Sequence, residues 1–181
     1  MAQINDILRS RKAIDITEFF VENQGAELYQ LEVSKRLKIS RNTALKWLGV
    51  LTRNGILNAR KSGKMIYFKL NTDNVVVKQM KILLSVSKLS DVLKAAKGVE
   101  GVEVYLYGSV ARGEDDMKSD IDLLFVGKIE KKELIGIVER ARGAMKRDVR
   151  PLVLTPLDYA NLSRKDRVFY ENIEKNKVRL L

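Results

Sequence analysis

Two aspartates on alternate positions, Asp120 and Asp122, follow a Gly108-Ser109 pair by ten residues in the stretch GSVARGEDDMKSDIDLLFVG. Alternate residues of a strand point to one face, so an Asp-x-Asp pair aims both carboxylates the same way, about 7 Å apart along the chain. Such a pair repels itself unless a divalent cation lies between its members. Gly108 lets backbone approach a phosphate closely. Ser109 adds an N–H and a hydroxyl where a short helix would begin, a place suited to anions. Arg112, one turn on, brings a positive charge to the same region. Phosphate donors facing a carboxylate pair suit a nucleoside triphosphate with Mg²⁺. The chain has no histidine and no cysteine, which removes imidazole bases, thiolate nucleophiles and the usual zinc ligands. Each part of the pattern is common alone; the combination is specific.

These residues need strands on both sides. Val102–Tyr107 alternates and is rich in strand formers, running straight into Gly108; 121–126 is a second strand that stops at Gly127. Residues 130–146 read as a helix, 149–155 as a strand, 156–173 as helical, and 177–181 as a last strand. Upstream, the apolar residues from Val75 to Leu93 predict one or two helices reaching Lys97-Gly98. The expectation is a mixed sheet with flanking helices.

The Gly-Ser, ten residues, Asp-x-Asp element closely resembles the minimal nucleotidyltransferases of the polymerase-β superfamily, over roughly 85–181. The resemblance implies transfer of a nucleoside monophosphate from NTP to a hydroxyl on a protein or nucleic acid. Gly108 and Ser109 would hold the triphosphate, and Asp120 and Asp122 the Mg²⁺. Some relatives act as antitoxins on a HEPN-type toxin partner, which makes such a protein a candidate acceptor. Active members carry a third carboxylate on the neighbouring strand, here RDVRPLVLTP. The matching position is Arg150, which cannot serve. Asp148, two residues earlier, either substitutes for it or is a surface residue at the start of the strand.

The first part of the chain differs in charge. The net charge of the protein is +11, and residues 1–70 carry +7 of it. After Glu32 no acidic residue occurs until Asp73, while ten Lys and Arg intervene. Solvated faces usually mix signs, so this run points to an anionic partner. Ile7, Leu8, Ala13, Ile14, Ile16, Phe19 and Phe20 predict a first helix ending near Asn23-Gln24-Gly25. Leu31, Val33 and Leu37 predict a short second one. Ser40 is a good N-cap for a third, whose buried stripe is Ala44, Leu48 and Leu51 and which Asn54-Gly55 stops. Two strands, 56–60 and 65–70, flank Lys61-Ser62-Gly63-Lys64 as a hairpin.

The stretch VSKRLKISRNTALKWLGVLTRNGIL resembles the helix-turn-helix of ArsR- and MarR-like regulators, over roughly 5–72. That resemblance implies a winged helix on double-stranded DNA, with the third helix in the major groove. Arg41, Asn42, Leu45 and Lys46 would then face the bases, while Lys35, Arg36, Lys61 and Lys64 would meet phosphates. Winged helices also serve as protein-interaction modules.

The expected protein is therefore α+β. A winged helix-turn-helix of three helices and a β-hairpin wing occupies 1–72, and a polymerase-β-like nucleotidyltransferase domain occupies 73–181. Two functions follow: a DNA-associated, Mg²⁺-dependent nucleotidyltransferase, or a transcriptional regulator whose degenerate transferase domain senses nucleotide or mediates dimerisation. A homodimer would suit paired half-sites. A template-copying polymerase would need further domains. No apolar run approaches a membrane span and the N-terminus lacks a signal peptide's core, so a cytoplasmic location is expected.

Overall fold

The computed structural model describes residues 4–94 and 100–181, and its backbone clusters into two compact units, Met1–Lys78 and Gln79–Leu181. In the first unit the helices are α1 (Ile4–Leu8), α2 (Arg11–Glu22), α3 (Gln30–Arg36) and α4 (Arg41–Arg53). The single first helix expected from the sequence is two. Ser10 is extended (φ −107°, ψ 111°), and its hydroxyl accepts from Ala13 N at 3.3 Å, starting a new helix. Leu8, expected to pack inward, is exposed.

The link from α3 to α4 is tight. Ile39 N–H donates to Ser34 O and Lys38 N–H to Lys35 O, the paired bonds that close a helix through one left-handed residue. Lys38 is that residue, at φ +51°. Ser40 then caps α4, accepting from Thr43 N at 3.1 Å. Ala44, Leu48 and Leu51 are fully buried, as their spacing predicts. Gly55 follows at φ +71°.

Next come β2 (Leu57–Ser62) and β3 (Met65–Leu70), antiparallel, with Lys61 opposite Ile66. The strand therefore runs one residue past Lys61, and the turn narrows to Gly63-Lys64, with Gly63 at φ +57°. A two-residue strand, β1 (Leu28–Tyr29), joins the free edge of β3. It was not legible in the sequence because two residues carry no period.

The second unit contains most of α5 (Val75–Lys94), then β4 (Glu103–Tyr107), α6 (Gly108–Ala111), β5 (Ile121–Val126), α7 (Lys131–Met145) and β6 (Val149–Leu154). The helical reading to Lys97-Gly98 runs beyond the described residues. After β6 the expected single helix is again two, α8 (Pro156–Lys165) and α9 (Arg167–Glu174). Asp166 breaks them and caps the second by accepting from Phe169 N at 2.9 Å. The last strand, β7 (Val178–Arg179), is shorter than expected.

The sheet order is β6-β5-β4-β7, parallel between β5 and β6 and antiparallel elsewhere. Alternation along β5 sorts its residues between two apolar layers. Ile121, Leu123 and Phe125 join Leu89, Leu93, Ile137, Val138 and Ala141. Leu124 and Val126 join Tyr105 and Ile173, with Tyr107, Leu152, Tyr159 and Phe169 packed around them. By the same alternation Asp122 belongs to the second face, and so does Asp120 just before the strand. Among the described residues no helix is long and apolar enough to cross a membrane.

Candidate functional site

β4 delivers the chain to a sharp corner at Gly108. Its φ of +74° is left-handed, and a Cβ built there would overlap Asp122 Oδ2 and lie 3.2 Å from Asp122 Cγ. The glycine is thus needed twice, for its backbone angle and for the carboxylate that fills the space a side chain would take. Ser109, Val110 and Ala111 complete the single turn of α6, which is capped by Arg112. Arg112 is held by Glu114, with Nε 2.9 Å from Oε2.

The ten residues between Ser109 and Asp120 are fixed from inside. Asp115 is buried, its side chain 5% exposed, between Lys81 Nζ at 3.1 Å and Arg147 at 2.6 Å. Lys81 is 3% exposed and also donates to Asp115 O at 2.5 Å. Arg147 Nε donates to Ser119 O at 2.7 Å. Asp116 closes the turn before the site: its Oδ1 accepts from the Lys118 and Ser119 N–H groups, each at 2.8 Å. The Ser119 hydroxyl also donates to that oxygen, at 2.9 Å, and this bond first, with the backbone ones, holds the Asp116 carboxyl below its ordinary value. The segment thus reaches Asp120 with its backbone anchored.

Asp120 and Asp122 emerge on one face. Tyr107 lies opposite Asp122 on β4, and Arg150 lies opposite it on β6. The Arg150 guanidinium sits 2.5 Å from Asp120 Oδ2. Burial raises the Asp122 carboxyl above its ordinary value; the Asp120 charge adds to this, while Arg150 and Arg112 oppose it. Tyr107 is raised as well, first by burial and then by the Asp122 charge. Its ring meets Phe169 edge-on, with centroids 6.3 Å apart.

A family match decides what this arrangement belongs to. The nucleotidyltransferase domain family matches residues 86–181. The chain belongs to that family. No curated protein matches the chain. Nucleotidyltransferase domains carry out nucleotidyl transfer and generally use Mg²⁺, and the matched span contains the whole Gly108 to Asp122 corner.

Two carboxylates on one face, one of them partly desolvated, fit a hard divalent cation shared with phosphate oxygens. A third protein carboxylate is not brought to them: among the described residues no three acidic groups converge as a metal site. Asp148 lines one cavity with Asp120 but makes no three-acid group with the pair. It precedes β6, its side chain is 79% exposed, and its charged neighbour is Arg142, with Nε at 3.6 Å. The Asp148 contribution near Asp120 is backbone, since its carbonyl accepts from Ile121 N at 2.8 Å.

Residues of this nucleotidyltransferase domain that the sequence reading passed over are Lys81, Asp115 and Arg147. The signal for Lys81 was available: it is a lone charge inside the apolar run from Met80 to Leu84. Nothing distinguished Asp115 from the exposed acids beside it.

In the first unit, Arg41, Asn42, Leu45 and Lys46 lie together on the exposed side of α4, and Lys35, Arg36, Lys61 and Lys64 are exposed too. The basic run is not uniform. Arg60 is bound to Glu27, with NH2 2.5 Å from Oε2, and lies over the Tyr67 ring. Arg36 pairs with Glu32 at 3.8 Å and lies over Phe19. Lys46 lies over the Trp47 ring at 5.1 Å. Lys35, Arg41, Lys61 and Lys64 make no ion pair among the described residues.

Proposed function

We propose that the protein is a DNA-associated nucleotidyltransferase of the polymerase-β type, which moves a nucleoside monophosphate from an NTP to a hydroxyl of a protein or nucleic acid. The observation that carries this reading is the fit of Asp122 into the space above Gly108, beside Asp120 on the same face. Mg²⁺ would supply charge neutralisation for the triphosphate when bound. Asp120 and Asp122 would hold it, while Gly108 and Ser109 present backbone to the phosphates. Calorimetry with Mg²⁺-ATP tests the pocket. Asp122→Asn should weaken binding by at least about tenfold, as expected when a direct ligand is lost. Undiminished binding would sink the assignment.

The raised Asp122 carboxyl sets a pH dependence. Cation binding requires the ionised form. Affinity therefore falls as the pH drops through that raised value, above the 3.8 of an ordinary aspartate. Without a cation the sign for stability is opposite. A carboxyl raised by folding destabilises the ionised fold, so this contribution is lost on acidification.

We assign the first unit to duplex DNA as a winged helix, with α4 as the reading helix and the β2–β3 turn as the wing. Support comes from the exposed α4 side chains and from the unpaired lysines and arginine around them. Gel shifts against salt check it. With Lys35, Arg36, Lys61 and Lys64 on phosphates, log affinity should fall with log salt with a slope of about −3 to −4. A joint Lys61→Glu and Lys64→Glu exchange should flatten that slope by about two. Affinity indifferent to salt would remove DNA from the account.

A second reading is favoured by one contact, Arg150 on Asp120. In it the same domain binds nucleotide without transferring it, and the DNA-bound protein reports nucleotide as a regulator.

A further inference from the structure

Arg150 faces Asp122 across the β5–β6 pair and shares a sheet face with it, since Leu152 and Leu154 further along β6 pack with Leu124 and Val126 on that face. Its guanidinium reaches Asp120 Oδ2 at 2.5 Å, while its side chain stays 74% exposed. A guanidinium carries five N–H donors in a planar fork and does not deprotonate in proteins. The contact to Asp120 uses part of that fork and leaves the rest open to solvent. The field of Arg150 acts on Asp122 and Tyr107 as well, opposing the upward shift of both.

A charge balance follows. Two carboxylates and one guanidinium leave a net charge of −1, against −2 for the carboxylates alone. A pair of aspartates by itself would repel a triphosphate until cations intervened. With Arg150 in place, one cation is already built in. A second divalent ion would also lack ligands: Arg150 takes Asp120 Oδ2, Asp148 has Arg142 beside its carboxylate, and among the described residues no three acids converge.

We propose that Arg150 is a fixed cation of the nucleotide site, which neutralises Asp120 and takes triphosphate oxygens on its open N–H groups, so that the site binds a single divalent ion per nucleotide. This rests on the nucleotide site assigned above. The ligand class is a nucleoside triphosphate carrying one divalent cation. Arg150 is a binding and positioning residue here, and it makes or breaks no bond.

The test counts metal. Mn²⁺ is titrated into the full chain with and without α,β-methylene-ATP, free Mn²⁺ is read by electron paramagnetic resonance, and bound nucleotide by calorimetry. The wild type should bind one Mn²⁺ per nucleotide and none appreciably without nucleotide. Arg150→Asp should bind two per nucleotide. It should also tighten nucleotide-free Mn²⁺ binding by at least about tenfold, because it exchanges a repelling charge for an attracting one. Position 150 is exposed, so circular dichroism should show both proteins folded. Two Mn²⁺ per nucleotide in the wild type would overturn the proposal and leave the nucleotide site standing. So would an Arg150→Asp protein with unchanged metal count and affinity. If neither protein bound the nucleotide, the site assignment would fail and this inference with it.

Discussion

Replacing Gly108 by alanine should abolish nucleotide binding, with a loss of at least about a hundredfold, while the second unit stays folded. Two costs act together. The backbone at φ +74° is left-handed, where a Cβ costs about 1–2 kcal/mol. The added methyl would also occupy the place of Asp122 Oδ2. Tyr107 and Arg150 lie opposite Asp122 on the neighbouring strands, so a displaced carboxylate leaves the position it holds between them. Asp122 must rotate out of the site or the corner must open. In either case the carboxylate and the phosphate-facing backbone lose their mutual position. Calorimetry with Mg²⁺-ATP reads the binding, and urea denaturation separates it from stability. Near-normal binding by the variant would show that the corner is not where phosphate docks.

Asp115→Asn should be among the most destabilising single changes in the second unit, costing about 3–5 kcal/mol. The side chain is small and the exchange nearly isosteric, so the loss is electrostatic. Lys81 and Arg147, 3% and 8% exposed, would share a buried site with no anion between them. Against a domain stability of about 5–15 kcal/mol this is a large fraction. The functional effect should exceed that of the unfolded fraction alone. Arg147 holds Ser119 O, the residue before Asp120, so a loosened Arg147 frees the chain that presents the carboxylate. Urea unfolding followed by circular dichroism gives the stability, and nucleotide affinity measured well below the melting temperature gives the rest. A cost under about 1 kcal/mol, the level of an exposed pair, would mean that these three charges are solvated.

Much of this protein was legible in its residues, for identifiable reasons. β5 runs over the residues expected, because Ile121–Val126 is apolar but for Asp122 and is bounded by a charged loop and Gly127. The interior of α4 was fixed by the spacing of Ala44, Leu48 and Leu51, and its start by Ser40. The Gly-Ser and Asp-x-Asp spacing located the corner of the candidate site, since those residue types are required there by backbone geometry and charge. Helix breaks were harder. Ser10 and Asp166 interrupt apolar patterns that continue across them, so the spacing did not mark either as a cap.

Interactions between distant segments are what the sequence leaves open. Asp115, Asp116, Asp120 and Asp122 are one residue type within eight positions. Tertiary structure alone separates them: Asp115 is drawn inward by Lys81 from a helix more than thirty residues away, Asp116 folds back on Ser119, and the last two are left for the site. Arg150 could be read as an absent acid, but its contact with Asp120 depends on the parallel register of β5 and β6. Asp148 meets Arg142, a pairing that its place in the sequence does not show. The sequence by itself determined most of the local elements and the residues from which phosphate-directed chemistry could be built, because periodicity, capping and glycine geometry act over a few residues. Only the tertiary structure decided which charges meet, because that depends on strand register and burial.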